Sequence, residues 1–235
     1  MDDELRQRLD KAHRGFFERF DVGLSSGRVG RAHVKFASYP FVGSRYGEGK
    51  KLMVVGLDIG DDEGGTDIQS YECRRKRVEE ECPTKFGRHL AGTFLTAMSL
   101  LQEDCCEWRK WMEKACHNEW PQALLKKHPL PCRNPLSYIA FTNYYKFLIG
   151  GEVKDKGAKI QLDWEREQDF LAEEACALQP DAIHLQGAGL RHDDALLGKL
   201  SNVADVSVGY HPSVRSDKGN LKSLICPLER RNKAG

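Results

Sequence analysis

The sequence lacks a long hydrophobic run. Its longest apolar stretch falls far short of the roughly 20 residues that span a bilayer, so no transmembrane helix is available. It also lacks a secretory opening: Met1-Asp2-Asp3-Glu4 is acidic where a signal peptide is basic and then apolar, so a cytoplasmic protein with no membrane partner is expected. Charge of one sign is missing too. With 36 Lys+Arg against 35 Asp+Glu the formal charge is +1, so any nucleic-acid surface must come from local clustering. Among the eight cysteines (Cys73, Cys82, Cys105, Cys106, Cys116, Cys132, Cys176 and Cys226) no CxxC pair occurs, the spacing that lets two thiolates of one turn grip zinc or a cluster iron. Reduced, partly buried thiols are expected, with no metal or other cofactor; Cys116 and Cys132 are the pair that folding could still bring to one metal. No repeat with a period of roughly 20 to 50 residues and no low-complexity tract is visible, which excludes a solenoid.

What is present is the balance of a globular enzyme, 40% hydrophobic and 30% charged residues over 235 positions, enough to bury one core of α/β size. One domain over residues 1–235, acting as a monomer, is the simplest organisation. Residues 1–50 read as an N-terminal helical extension. Leu5, Leu9, Phe16, Phe17 and Phe20 at helical spacing predict an amphipathic helix over 3–20, and a Gly-rich basic stretch runs from Ser25 to Lys50. Lys51 to Asp58 is then a short apolar run bounded by charge and glycine, the pattern of a buried strand. Three later runs have the same form: Leu136 to Phe141, Ala182 to Leu185 and Val206 to Gly209. Between them, helical stripes cover Arg88 to Met112, Trp164 to Leu178 and Asp193 to Leu200. Continuous apolar strands alternating with helices predict an α/β fold with a central, mainly parallel four-stranded sheet flanked by helices.

In open α/β sheets ligands sit outside the carboxyl ends of the strands, and here those ends carry Asp58, Asn143, Gln186-Gly187 and His211. Each has an ordinary reading alone: Asp58 as a helix N-cap, Asn143 as a turn residue, His211 as a loop histidine. Together they bring a carboxylate, an amide and an imidazole to one crevice.

Three segments resemble the signature segments of the uracil-DNA glycosylase superfamily, in the same order: Gly56-Leu57-Asp58-Ile59-Gly60 after a strand, Asn143 at the end of the next, and Val208-Gly209-Tyr210-His211-Pro212-Ser213 after the last. Pro180 to Gly187 is similar to the superfamily's proline, strand and glycine segment, so the likeness spans about 51–215. The resemblance implies a uracil-DNA glycosylase-like fold and hydrolysis of a base–sugar bond in DNA. In that chemistry Asp58 orients the water and stabilises the oxocarbenium-like sugar, His211 donates to the departing base, and Asn143 binds the base edge. Phe86 is the candidate ring against the base face, with a core role as the alternative. The flipped nucleotide would be held by the loop after His-Pro-Ser, with Ser213 suited to phosphate, Val214 or Arg215 to the vacated stack, and Lys218 among the basic DNA-binding residues of the loop and tail.

Two departures refine this. The iron-sulfur branch carries a CxxC and a later cysteine where this chain has Phe147, so no cluster is expected. The uracil-specific branch has a tyrosine two residues after the catalytic carboxylate, closing the pocket against C5 substituents, and this chain has Gly60 there. Gly60 and Asp61, opening the acidic run to Gly65, suit a pyrimidine enlarged at C5, such as the glucosylated hydroxymethylcytosine of some phage DNA, and a role in antiviral defence. Ordinary uracil excision in repair is the alternative. A nucleotide or phosphoester hydrolase and a non-catalytic DNA-binding relative also remain open, although Gly56 to Gly60 is not a phosphate-cradling loop.

Overall fold

The computed structural model describes residues 1–25, 28–31, 34–36, 39–56, 71, 75, 78, 88–128, 130, 133–149, 164–212 and 221–234. The first helix, α1 (Asp3–Arg19), begins where the Asp2 carboxylate accepts the Leu5 amide at 2.7 Å. Its acidic first turn and basic last turn match the helix dipole. Four short strands follow, β1 (Gly23–Ser25), β2 (Arg28–Arg31), β3 (Val34–Phe36) and β4 (Phe41–Val42). The segment expected as a helical extension thus contributes strands as well, and β4 is an edge of the main sheet.

The expected strands are present as β5 (Leu52–Gly56), β6 (Ile139–Asn143), β8 (Ala182–Gln186) and β9 (Asp205–Gly209), and they run parallel in the spatial order β6-β5-β8-β9. β5 and β6 are buried along their whole length, which is why their apolar runs do not alternate. The sheet is nonetheless mixed and six-stranded, not four-stranded. The antiparallel β4 and β10 (Glu229–Arg231) close its two edges, in the order β10-β9-β8-β5-β6-β4. Both are too short, and β10 too charged, to announce themselves by pattern; their pairing defines them. A second, antiparallel sheet has the order β1-β2-β3-β7, with β7 at Phe147–Ile149.

The helical stripe over 88–112 is broken. α2 (Arg88–Leu100) ends, Gln102–Asp104 forms a 3-10 turn, Cys105 is extended, and α3 (Cys106–Lys114) restarts. The turn lets Trp108, Trp111 and Met112 join the same core as Phe94, Leu95 and Met98. That core, with α4 (Pro121–Lys127) and α7 (Leu221–Ile225), covers the sheet face bearing Leu52, Val54, Ile139 and Phe141. α1, α5 (Trp164–Leu178) and α6 (Asp194–Ser201) cover the opposite face, against Met53, Val55, Ile183 and Leu185. Phe16 of α1 stacks on Phe170 of α5 at 3.8 Å between ring centres. No described helix is long and apolar enough to cross a membrane.

Of the described cysteines only Cys105 is buried. Cys106, Cys116, Cys176 and Cys226 are exposed free thiols, more open than expected. Cys73, Cys82 and Cys132 lie outside the described residues.

Candidate active site

The chain builds β6 beside β5 and then crosses to the other side of β5 for β8, so the direction of winding reverses between β5 and β8. A doubly wound sheet opens its ligand crevice at this place, outside the strand ends. Asn143 is the last residue of β6, paired in register with Gly56 at the end of β5. It is buried, and its amide nitrogen has no hydrogen-bond partner among the described residues. Gly56 has to be small: a Cβ there would lie 3.0 Å from Asn143 Oδ1 and 3.4 Å from the Phe141 ring. Asp58 follows Gly56 by two positions but lies outside the described residues, as do Gly60, Asp61, Phe86, Ser213, Val214, Arg215 and Lys218.

His211 follows β9 by two residues and is half-buried. Its ring meets that of His89 at 5.0 Å between centres and 75° between planes, and His89 in turn lies 5.9 Å from the Phe141 ring. Pro212 abuts Gly92 so closely that a Cβ on Gly92 would come within 2.5 Å of it. The first turns of α2 therefore roof the carboxyl edge of the sheet and seat the His-Pro pair. Thr93, one residue on, donates its hydroxyl to Gln186 Oε1 at 3.0 Å, and Gln186 is the fully buried last residue of β8.

Beside this edge opens a cavity of about 520 Å³, with Tyr144, Tyr145, Gly187, Asp193, Tyr210 and His211 in its wall. Tyr144 is pinned: its amide donates to Gly56 O at 2.7 Å, and Gln168 Nε2 reaches both its hydroxyl and Asp193 Oδ2. Burial, with Asp193 nearby, pushes the Tyr144 phenol up to about 12, so it stays protonated. Tyr145 and Tyr210 are half-buried and line the cavity.

Comparison with protein-family models, with curated proteins and with solved structures found no match.

Behind Asn143 lies a buried ionic cluster. Lys146 and the Thr142 hydroxyl both donate to Glu174 Oε2, at 2.6 and 2.7 Å, Lys146 also bonds Thr142, and His13 Nε2 stands 3.5 Å from Glu174 Oε1. Burial alone would raise the Glu174 carboxyl, but Lys146 and His13 overcome it and hold it near 2. The pair locks α5 to the β6–β7 connection. At the next strand, burial lowers His184 to about 4, so the ring is neutral, with Nδ1 on the Ser207 hydroxyl at 2.9 Å.

The structure thus brings Asn143, Gln186 and His211 to one edge of the parallel sheet. Sequence reasoning missed His89 and Thr93, whose place depends on how α2 crosses the sheet and which no motif marks. It also left unassigned Tyr144 and Tyr145, the two residues after Asn143, and Tyr210, which lies within the Val208 to Ser213 segment.

Proposed function

We propose that the chain is a DNA glycosylase of uracil-DNA glycosylase type, which hydrolyses the N-glycosidic bond of a flipped-out pyrimidine and leaves an abasic site. The observation that carries this reading is the strand order. With β5 central in β6-β5-β8-β9, Asn143, His211 and the segment that continues from Gly56 toward Asp58 all leave the sheet at the same edge. The Asp58 carboxylate orients the water that adds to the sugar C1′ and takes its proton. The glycosidic electrons leave with the base, which His211 stabilises by donating to its oxygen. Asn143, with an unpartnered buried amide nitrogen, holds the base edge. Tyr145 and Tyr210 offer ring surface beside the cavity, a role given to Phe86 from the sequence alone.

The substrate we infer is a C5-enlarged pyrimidine such as glucosylated hydroxymethylcytosine, since by the sequence resemblance Gly60 takes the position, two residues after Asp58, at which uracil-specific members carry a tyrosine. Ser213, Val214, Arg215 and Lys218 follow His211 and would hold phosphates and the vacated stack. DNA is the partner, and the reaction as written draws on no cofactor. The test is to incubate the protein with duplexes containing uracil, a thymine mismatch, hydroxymethylcytosine or its glucosylated form, and to identify released bases by mass spectrometry. Release of the glucosylated base is expected. Release of uracil alone would restore the ordinary repair reading, and release of no base would remove the glycosylase assignment.

A further inference from the structure

Two carboxamides end neighbouring strands on either side of β5, and each buries an amide nitrogen with no hydrogen-bond partner among the described residues: Asn143 Nδ2 on β6 and Gln186 Nε2 on β8. An orphaned buried donor costs about 1–3 kcal/mol, so two of them flanking one strand end are costly unless a ligand satisfies them. Between them is Gly56, over which Asn143 Oδ1 and the Phe141 ring are already packed, and the two positions are two strand spacings apart, roughly 10 Å at the backbone. A planar base that meets both amides would sit past the strand ends and not over Gly56.

Gln186 is held by its oxygen. Thr93 Oγ1 donates to Gln186 Oε1 at 3.0 Å, and the same hydroxyl stands 3.1 Å from His89 O. One hydroxyl proton serves one acceptor at a time. When it faces Gln186, the amide turns its NH₂ outward; when it faces His89 O, the carboxamide is free to rotate and present its oxygen instead. The residue after Gln186, Gly187, already lines the 520 Å³ cavity together with His211.

We propose that Gln186 is a second base-reading residue, donating from Nε2 to an acceptor on the pyrimidine opposite the edge held by Asn143, and that Thr93 is the positioning residue that sets its orientation. This rests on the glycosylase reading for its ligand class, a pyrimidine base. The signal was weak in sequence: Gln186 was visible at a strand end, but nothing there linked it to a threonine on a distant helix.

The probes are free uracil and free cytosine, titrated into wild type and into Gln186→Leu, Thr93→Val and Thr93→Ser by NMR, alongside base release from DNA. Urea midpoints identify any variant that is globally destabilised. Gln186→Leu should weaken binding of the preferred base about tenfold or more, the worth of a buried hydrogen bond. Thr93→Val should do part of this, and Thr93→Ser, which keeps the hydroxyl, should restore it. Base binding and release unchanged in Gln186→Leu would overturn the proposal and leave the glycosylase reading standing. Base binding that depends on Gln186 in a protein that releases no base from any DNA would support the proposal and remove the glycosylase reading. A wild type that neither binds nor releases any base overturns both.

Discussion

The imidazoles of His89 and His211 meet edge to face, with ring centres 5.0 Å apart. His89 is the second residue of α2 and His211 lies just past β9, so the contact ties a helix start to a strand end. An aromatic pair of this kind is worth about 0.5–1.5 kcal/mol, or roughly 2–10-fold in rate where it serves to hold a reacting group in place. His89→Ala should lower base release by up to about that factor, while His89→Phe, which keeps a ring, should retain most of it. Steady-state rates of the three proteins check this; equal losses in both variants would mean that His89 acts through its nitrogens.

Gly92 is a steric gauge of the same junction. A Cβ there would lie 2.5 Å from Pro212 Cβ and 2.7 Å from its carbonyl oxygen, so the helix or the His-Pro segment must move. Gly92→Ala should cost about 1–3 kcal/mol by overpacking and lower turnover further by displacing His211. Gly198 of α6 has nothing within 4 Å of its Cβ position. Gly198→Ala should therefore stabilise by about 0.5–1 kcal/mol. Urea midpoints of the two variants should move in opposite directions.

Asp58→Asn should lower base release by about 10² to 10⁴-fold while binding to uncleaved DNA persists, because in the proposed reaction the carboxylate acts on the water and on the transition state. Single-turnover rates paired with gel-shift affinities separate the two effects. Near-normal turnover in the folded variant would remove Asp58 from the mechanism.

On the proposed reading, Gly60→Tyr should close the C5 side of the base site. Excision of a glucosylated hydroxymethylcytosine is then expected to fall more than any activity on uracil. The ratio of the two rates is the measurement, since loop strain would lower both alike. An unchanged ratio would show that Gly60 does not gate the pocket.

Stability should fall with acid in two stages. Burial holds His184 near 4, below its ordinary 6.5, so the unfolded chain binds a proton that the folded one refuses. This contribution is present above about pH 6.5 and is lost as pH falls toward 4, with a slope of at most about 1.4 kcal/mol per pH unit. Glu174, held near 2 against an ordinary 4.5, adds a second loss between about pH 4.5 and 2. Urea midpoints across pH 7 to 3 should show the first decline, and it should shrink in His184→Gln. A flat profile from pH 6.5 to 4 in wild type would contradict the buried neutral imidazole.

The parallel layer is legible in the apolar runs of the chain. β5 and β6 are buried throughout because strands covered on both faces have no polar side to alternate with, whereas β9, nearer the sheet edge, alternates Val206 and Val208 with the exposed Asp205 and half-buried Ser207. α5 matches its apolar stripe from Trp164 to Leu178, and α1 its stripe from Asp3, for the complementary reason that one face of each meets the core. Asn143 and His211 were legible because strand ends in this class of fold point at the ligand crevice. Only the tertiary structure decided the rest. β4 and β10 are two and three residues long and exist through their pairing, and the antiparallel sheet of β1, β2, β3 and β7 joins residues more than a hundred positions apart. The break after Leu100 comes from the need to turn Trp108 and Trp111 back onto a core that already holds Phe94. The roof that α2 lays over the site, His89 on His211, Gly92 on Pro212 and Thr93 on Gln186, follows from how a helix crosses a sheet. Such contacts lie on no sequence period, because they are made between elements whose relative placement only the packed core sets.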